Sequence, residues 1–296
     1  MAQICAGKSL ARGIMKRIFS SLAIALAVPF GAPAQDVVTL APARDARLES
    51  LETSDAGRGW EAVGKLELGR RGFCTGALIA PDLVLTAGHC LFDRDTGARI
   101  DPASIEFRAG WRNGRAIAYR GIKRAVAHPD YVYGGEKLNE RVAFDIALLQ
   151  LDQPIRQPSV TPFAIGEQPL AGDAVSVVSY AQDRSEAPSL QEVCKVLAQE
   201  PKMLMLTCDV DFGSSGAPVF AFLGGMPRIV SVVSAKAEYD GHKVAIGTGL
   251  AEPLEDLRRE IMEAEEAAGL GSARILRGGI TSGPKFLRPD EDRPGD

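Results

Sequence analysis

Three short blocks of the sequence carry the side chains that hydrolytic enzymes use for nucleophilic catalysis. They are LTAGHC (residues 85–90), which contains His89, DIALLQL (145–151), which begins with Asp145, and DFGSSGAP (211–218), which contains Ser215. An imidazole can take the proton of a serine hydroxyl, and a carboxylate can hold that imidazole in the required tautomer. The three blocks together predict a His-Asp-Ser triad that performs acyl transfer.

Each block also has a common structural explanation. A histidine beside a cysteine can be structural, an aspartate at a strand start often caps a turn, and Gly-Ser-Ser-Gly can be a flexible turn. The order along the chain favours catalysis, because the chymotrypsin type of triad runs His, Asp, Ser whereas subtilisins and α/β-hydrolases do not. Glycines around Ser215 also permit a backbone path on which the amides of Gly213 and Ser215 converge on an oxyanion.

Composition excludes some other functions. The chain has 296 residues, 46% of them hydrophobic, and a formal net charge of −4. Without a basic surplus, nucleic acid is not expected as a partner. His128 and His242 lie outside any metal-ligand spacing and are predicted to be surface residues, and we expect no metal and no cofactor.

The N-terminus has the pattern of an export signal. Lys16 and Arg17 precede an apolar run at 18–30, and Ala32-Pro33-Ala34 matches a cleavage site, with Met15 as an alternative start. A membrane anchor is the alternative, but the run is shorter than the roughly 20 residues that span a bilayer. We therefore predict a secreted or periplasmic protein, cleaved near Ala34, with no stable membrane anchor.

Cysteine usage agrees with export. Cys5 would leave with the signal, and the four remaining cysteines allow three pairings. Local pairs are favoured because their members flank strand-like runs, and each would close a loop worth about 3 kcal/mol in the chain-entropy model. Zinc binding is the alternative, but the CxxC spacing of structural zinc sites is absent. The favoured pairs are Cys74–Cys90 and Cys194–Cys208.

The rest of the chain reads as many short strands separated by turn residues, without helical periods between them. This pattern predicts an all-β fold with two antiparallel β-barrels rather than βαβ units. Leu254, Leu257, Ile261 and Ala264 then recur at helical spacing, which predicts an amphipathic helix that docks on the second barrel. The predicted segments are a signal peptide (1–34), a linker or short pro-segment (35–59), an N-terminal barrel (60–160), a C-terminal barrel (161–252), a helix (253–268) and a disordered tail (269–296).

The three blocks resemble the signature sequences of trypsin-like serine peptidases, and FCTGALI (73–79) adds a fourth match. The resemblance spans residues 60–253 and implies two β-barrels of the trypsin-like type. It also implies that His89 is the general base, Asp145 its orienting acid and Ser215 the nucleophile, with Gly213 and Ser215 forming the oxyanion hole.

One position departs from trypsin. Trypsin has an aspartate just before the nucleophile, which pairs with the freed N-terminus of the mature enzyme, whereas this chain has Ser214, as in secreted bacterial relatives such as the glutamyl endopeptidases. No Ile-Val-Gly-Gly sequence precedes Trp60 either. The oxyanion loop, which contains Gly213 and Ser215, must therefore be held in another way. One hypothesis is that a Cys194–Cys208 disulfide braces the segment that leads into it.

The resemblance also suggests a substrate pocket. Asp209 lies six residues before Ser215, where trypsin has the acid that binds Arg or Lys. Alternatively, Asp209 is a solvated loop residue or pairs with a local arginine. Ser234 and Lys236 are expected at the edge of the pocket, where Lys236 would attract acidic residues instead, so the residue preference stays open.

The sequence therefore predicts a monomeric, secreted serine endopeptidase that cleaves proteins or peptides through an acyl-enzyme. The alternative is a non-catalytic binding module on the same fold, although such modules usually lack a triad member. An esterase is a third alternative that no block of the sequence favours.

Overall fold

The computed structural model describes residues 47–135 and 137–277, except for the side chains of Leu138 and residues 268–277. The predicted signal peptide, its cleavage site, most of the predicted linker and the end of the predicted tail lie outside these residues. No helix within the described part of the chain combines the length and the apolar character that a membrane span requires.

Six antiparallel strands form a closed barrel in the first half of the chain. Apolar residues fill its interior, and every residue of the strand at 147–151 is buried. Two 3-10 helices, Gly88–Leu91 and Pro102–Ser104, and one helical turn, α1 (Leu138–Ala143), lie in its connections. The barrel strands are β2 (Val63–Glu67), β3 (Phe73–Ala80), β4 (Leu83–Thr86), β5 (Glu106–Ala109), β6 (Ala118–Ala127) and β7 (Ala147–Leu151), in the order β2-β3-β4-β7-β6-β5.

The second half forms an eight-stranded sheet that also includes one strand from near the N-terminus. Its order is β1-β10-β11-β14-β13-β12-β9, and the additional pairing of β9 with β10 brings the path back on itself. The strands are β1 (Glu49–Ser50), β8 (Ala164–Ile165), β9 (Ala174–Ala181), β10 (Arg184–Glu200), β11 (Met203–Leu206), β12 (Pro218–Leu223), β13 (Met226–Tyr239) and β14 (His242–Gly249). The predicted all-β fold is confirmed, although β8 pairs with β13 in parallel and not antiparallel.

The end of the segment predicted to be a linker is part of the second sheet. Glu49 and Ser50 pair with Leu190 and Ser189 of β10, and the Leu51 amide donates to the Pro188 carbonyl at 2.9 Å. Leu51 itself is 1% exposed. The strand is thus held by its pairing with β10 and by the burial of Leu51 next to it, and the polar sequence around Leu51 gave no strand pattern.

The C-terminal helix α2 (Ala251–Arg277) is longer than predicted and extends into the predicted tail. The prediction that it docks on the second barrel was wrong, because α2 contacts β6 and β7 of the first barrel. Leu254, Leu257 and Ile261 are buried there, and the Gln150 side chain of β7 hydrogen-bonds to Glu265. Helical periodicity shows which face of a helix is apolar but not which surface that face meets.

Both predicted disulfides are present. Cys74 of β3 is bonded to Cys90 in the 3-10 helix after β4, with a Cα–Cα distance of 6.3 Å. Cys194 of β10 is bonded to Cys208 after β11, with a Cα–Cα distance of 5.0 Å. The first bond attaches the segment that carries His89 to the barrel wall.

Packing of α2 on the first barrel leads to a stability prediction. Leu257 is 0% exposed, so Leu257→Ala should lower the free energy of unfolding by about 2–5 kcal/mol through lost burial and a residual cavity. Met262 on the same helix is 59% exposed, and Met262→Ala should change it by less than about 0.5 kcal/mol. Urea denaturation measures both, and equal effects would contradict the described packing.

Candidate active site

His89 and Asp145 lie side by side at one end of the first barrel, next to the paired strands β4 and β7. His89 lies in the 3-10 helix that follows β4, and Asp145 lies between α1 and β7. The ring Nδ1 of His89 is 2.7 Å from Oδ2 of Asp145, and the His89 amide donates to Oδ1 at 2.7 Å. Both carboxylate oxygens are therefore engaged, which fixes the ring orientation and places the proton on Nδ1.

A second-barrel residue adds a third donor to this carboxylate. The hydroxyl of Ser234 in β13 donates to Oδ2 of Asp145 at 2.5 Å. Thr248 of β14 donates to the backbone carbonyls of Val142 and Asp145, at 2.7 and 3.2 Å. Ser234 was predicted only as a pocket edge and Thr248 was missed, although each is a hydroxyl residue in a run of mainly small and apolar residues, 229–235 and 244–250.

The surroundings of His89 raise its pKa above the ordinary value of 6.5. Burial by itself lowers the pKa, because it disfavours the charged ring, but the charge and hydrogen bond of Asp145 outweigh it. Arg94 and Arg141 oppose the rise through their own charges. The imidazole is thus suited to hold a proton transiently.

Two glycines shape the loop that carries Ser215. Gly213 has φ +96° and Gly216 has φ +77°, a backbone region that side chains disfavour. A Cβ on Gly213 would lie 2.4 Å from the Phe73 ring, and one on Gly216 would lie 2.0 Å from the Thr86 hydroxyl. The loop therefore packs against the first barrel as closely as only glycine permits.

The amides of Gly213 and Ser215 are directed away from the loop's own hydrogen bonds. The carbonyl of Phe212 accepts from the Gln182 amide at 2.7 Å, and that of Ser214 accepts from the Ala217 amide at 2.9 Å. A trans peptide points its N–H opposite to its C=O, so the two amides that follow point the other way. Neither amide has an acceptor among the residues that the structure describes, which leaves both able to bind an oxyanion.

A cavity of about 600 Å³ brings these groups together between the two barrels. Of the residues predicted to act in catalysis or in the pocket, all three of the triad line it, as do Gly213, Ser234 and Lys236. Asp209 does not: it is exposed in the segment after Cys208, its amide bonded to Gln191 at 2.7 Å. Lys236 pairs with Asp211 at 2.7 Å and lies 4.1 Å from the centre of the Phe212 ring.

Ser214 is completely buried and joins a network of neutral groups. Its hydroxyl lies 3.2 Å from the Tyr180 carbonyl and accepts from the Asp211 amide at 3.3 Å. Its amide donates to the Asp211 carbonyl at 2.9 Å. Trypsin has an ion pair at this position. In this protein, Ser214 instead forms hydrogen bonds to β9 and to the loop itself.

The other two histidines lie apart from the cavity. His242 is exposed, as predicted, but the surface prediction for His128 was wrong, because this residue is 2% exposed. Its ring stacks on Phe144 with centroids 4.7 Å apart, and its Nε2 lies 3.5 Å from Asp256 of α2. The local sequence, in which His128 precedes a proline, did not indicate that helix α2 would pack over this residue.

Metal binding has one geometric candidate among the described residues. Cys74, His89 and Cys90 lie close enough to share an ion. The two cysteines are bonded to each other, however, and so offer no thiolate.

Comparison with known proteins agrees with this arrangement. A family model described as a trypsin-like peptidase domain matches residues 74–225, which include His89, Asp145 and Ser215. The chain belongs to this family. A solved structure of a Glu endopeptidase in complex with MPD superposes with a TM-score of 0.60 at 19% identity, covering 73% of this chain and 97% of that one. That likeness supports the trypsin-like fold.

Two curated relatives match shorter stretches. Glutamyl endopeptidase of Bacillus licheniformis is 27% identical over 150 residues, 50% of this chain and 45% of that protein. The suppressor of tumorigenicity 14 protein homolog of Bos taurus is 30% identical over 126 residues, 38% of this chain and 13% of that protein. The chain thus spans less than half the length of either relative.

The electrostatics of the site predict a distinctive titration. By proton NMR of the imidazole Cε1 signals, His89 should titrate above pH 6.5, because Asp145 stabilises its charged form. His128 should titrate below pH 6.5, because burial outweighs the nearby carboxylates. Asp145→Asn should lower the pKa of His89 and leave that of His128 unchanged, and a His89 pKa at or below 6.5 in the unaltered protein would contradict the described pairing.

Proposed function

We propose that this protein is an exported serine endopeptidase that cleaves peptide bonds through an acyl-enzyme on Ser215. The observation that carries the proposal is the composition of one cavity: the paired His89 and Asp145, the Ser215 hydroxyl and two unoccupied amide donors line the same space. A binding module would need none of these groups to meet. Acyl transfer needs all of them.

The chemistry follows from the roles of these groups. Ser215 Oγ attacks the substrate carbonyl carbon while His89 Nε2 accepts the hydroxyl proton, and the carbonyl oxygen becomes an oxyanion held by the amides of Gly213 and Ser215. His89 then donates the proton to the leaving nitrogen, the C–N bond breaks, and an ester remains on Ser215. Water repeats the sequence with His89 as base and releases the acid. Asp145 stays ionised throughout and stabilises the imidazolium.

The two disulfides favour the location of this protein in an oxidising compartment. Such bonds persist in secreted and periplasmic proteins and are reduced in most cytosols. Together with the N-terminal pattern they favour export, with cleavage near Ala34.

Labelling with an active-site fluorophosphonate tests the catalytic proposal. The unaltered protein should become labelled on Ser215 and should hydrolyse casein, while Ser215→Ala should lose both. Ser185 is a half-buried serine outside the cavity, so Ser185→Ala is the matched control and should retain both. Failure of the folded, processed protein to react would favour the binding-module alternative.

The cavity favours an acidic residue before the cut over a basic one. Asp209, the candidate acid for binding Arg or Lys, lies outside the lining. Lys236 lies within it, and its partner Asp211 is about half exposed, so a substrate carboxylate can compete for the ammonium group. The name of the Bacillus licheniformis relative, glutamyl endopeptidase, points to the same preference.

Peptides that differ only in Glu, Arg or Leu before the cut test this preference. The Glu peptide should have the highest kcat/KM, and Lys236→Gln should lower it by about tenfold, the equivalent of one charge-assisted hydrogen bond. The Leu peptide should change little. A variant that affects the Glu and Leu peptides equally would show that Lys236 does not select the charge.

A further inference from the structure

The oxyanion loop of this protein lacks the ion pair that holds the corresponding loop in trypsin, because Ser214 stands in place of the aspartate. The loop nevertheless has a backbone conformation that few residues can adopt. Gly213 has a positive φ, and its conformation is set by the orientation of the two peptide groups that flank it. The peptide before it is fixed by the bond from the Gln182 amide to the Phe212 carbonyl. The peptide after it is held from both sides: its N–H, that of Ser214, donates to the Asp211 carbonyl at 2.9 Å within the loop, and its C=O, that of Gly213, accepts from a residue of the other barrel.

That residue is Thr75, which lies in β3 next to the disulfide-bonded Cys74 and is 0% exposed. Its hydroxyl donates to the Gly213 carbonyl at 2.8 Å and accepts from the Tyr180 amide at 3.1 Å. A hydroxyl has one proton, and because the Tyr180 amide supplies its own, the Thr75 proton is directed to Gly213. This side chain therefore links β3, β9 and the loop.

The backbone of Thr75 completes the attachment. Its amide donates to the Ser215 carbonyl at 2.8 Å, and its carbonyl accepts from the Thr86 hydroxyl at 2.8 Å. Thr75 thus holds the carbonyls of the same two residues, Gly213 and Ser215, that line the cavity and whose amides have no acceptor among the described residues. Thr86 in turn belongs to β4, the strand that leads to His89.

We propose that Thr75 is the positioning residue that keeps the oxyanion loop in its active conformation, so that the loop forms without a freed N-terminal amine. This inference rests on the proposed function and deepens it. Thr75 touches no reacting atom. It acts through Gly213, by fixing the rotation of the peptide between Gly213 and Ser214.

Three variants separate this role from a general loss of stability. Thr75→Val keeps the shape and removes the hydroxyl, and Thr75→Ser restores a hydroxyl on a smaller side chain. Thr207→Val is the matched control, because the Thr207 hydroxyl also accepts a backbone amide, that of Lys195 at 2.8 Å, but bonds to no described residue of the loop at 211–217. All three are compared in the full processed protein after its folded fraction has been measured.

Hydrogen exchange tests the loop in the resting protein, without any need for activity. Exchange of peptides that cover residues 211–217 should be about tenfold faster or more in Thr75→Val than in the unaltered protein, because the loop opens more readily once its anchor is lost. Thr75→Ser should exchange nearly as slowly as the unaltered protein, and Thr207→Val should not change this segment. Unchanged exchange of 211–217 in Thr75→Val would overturn the proposal whether or not the protein is a peptidase.

Kinetics tests the same role during turnover. For a peptide substrate, Thr75→Val should lower kcat by roughly 10- to 100-fold, less than or comparable to direct loss of an oxyanion donor, with KM within about twofold. Affinity for a peptidyl boronate should fall in parallel with kcat, because its oxygen occupies the oxyanion position, and Thr75→Ser should recover most of both. An effect confined to KM, or one that Thr207→Val reproduces, would contradict the positioning role.

Discussion

The active-site geometry depends on the requirement that a buried carboxylate be fully hydrogen-bonded. Asp145 is 3% exposed, and an uncompensated charge at such a position costs several kcal/mol. Its donors are the amide and ring of His89 from the first barrel and the hydroxyl of Ser234 from the second. Satisfying one charge thus fixes the imidazole and joins strand β13 to the loops of the other barrel.

The loop that carries Ser215 (residues 211–217) is held in place by hydrogen bonds between neutral groups. It must present two amides to a cavity while its other polar groups remain paired, and it does so by bonding its carbonyls to its neighbours. The carbonyls of Phe212, Gly213 and Ser215 accept from Gln182 and from Thr75, and the buried Ser214 bonds within the loop and to β9. Hydrogen bonds of this kind need no N-terminal charge. The two barrels therefore assemble the site from opposite sides, one supplying His89 and Asp145, the other Ser215 and the loop that carries it.

The sequence predicted the parts of this arrangement that need unusual local composition. A glycine-flanked serine, a histidine beside a cysteine and an acid at the head of an apolar strand each have a common structural explanation, but together they are informative because their order along the chain is that of the chymotrypsin type of triad. The two disulfides were predicted among three possible pairings because the members of each local pair flank strand-like runs.

Features that depend on long-range packing were not predictable in this way. The apolar stripe of α2 identified a helix but not the barrel that it covers, and Leu51 and His128 are buried by elements distant in sequence. Asp209 was predicted to lie in a pocket because it is six residues before Ser215. In the structure, the backbone path between these residues leaves Asp209 exposed to solvent. The role of Thr75 was not predicted. It lies in a strand rich in small residues, and its sequence neighbours do not indicate that its hydroxyl bonds to Gly213, 138 positions further along the chain.

A crystal structure of the processed protein with a peptidyl boronic acid tests the central claim most directly. It should show a covalent bond from Ser215 Oγ to boron, one boronate oxygen within about 2.7–3.1 Å of the amides of Gly213 and Ser215, and the His89 ring between Ser215 and Asp145. A boronate bound elsewhere, or an oxygen that reaches neither amide while His89 remains bonded to Asp145, would contradict the proposed assembly of the site.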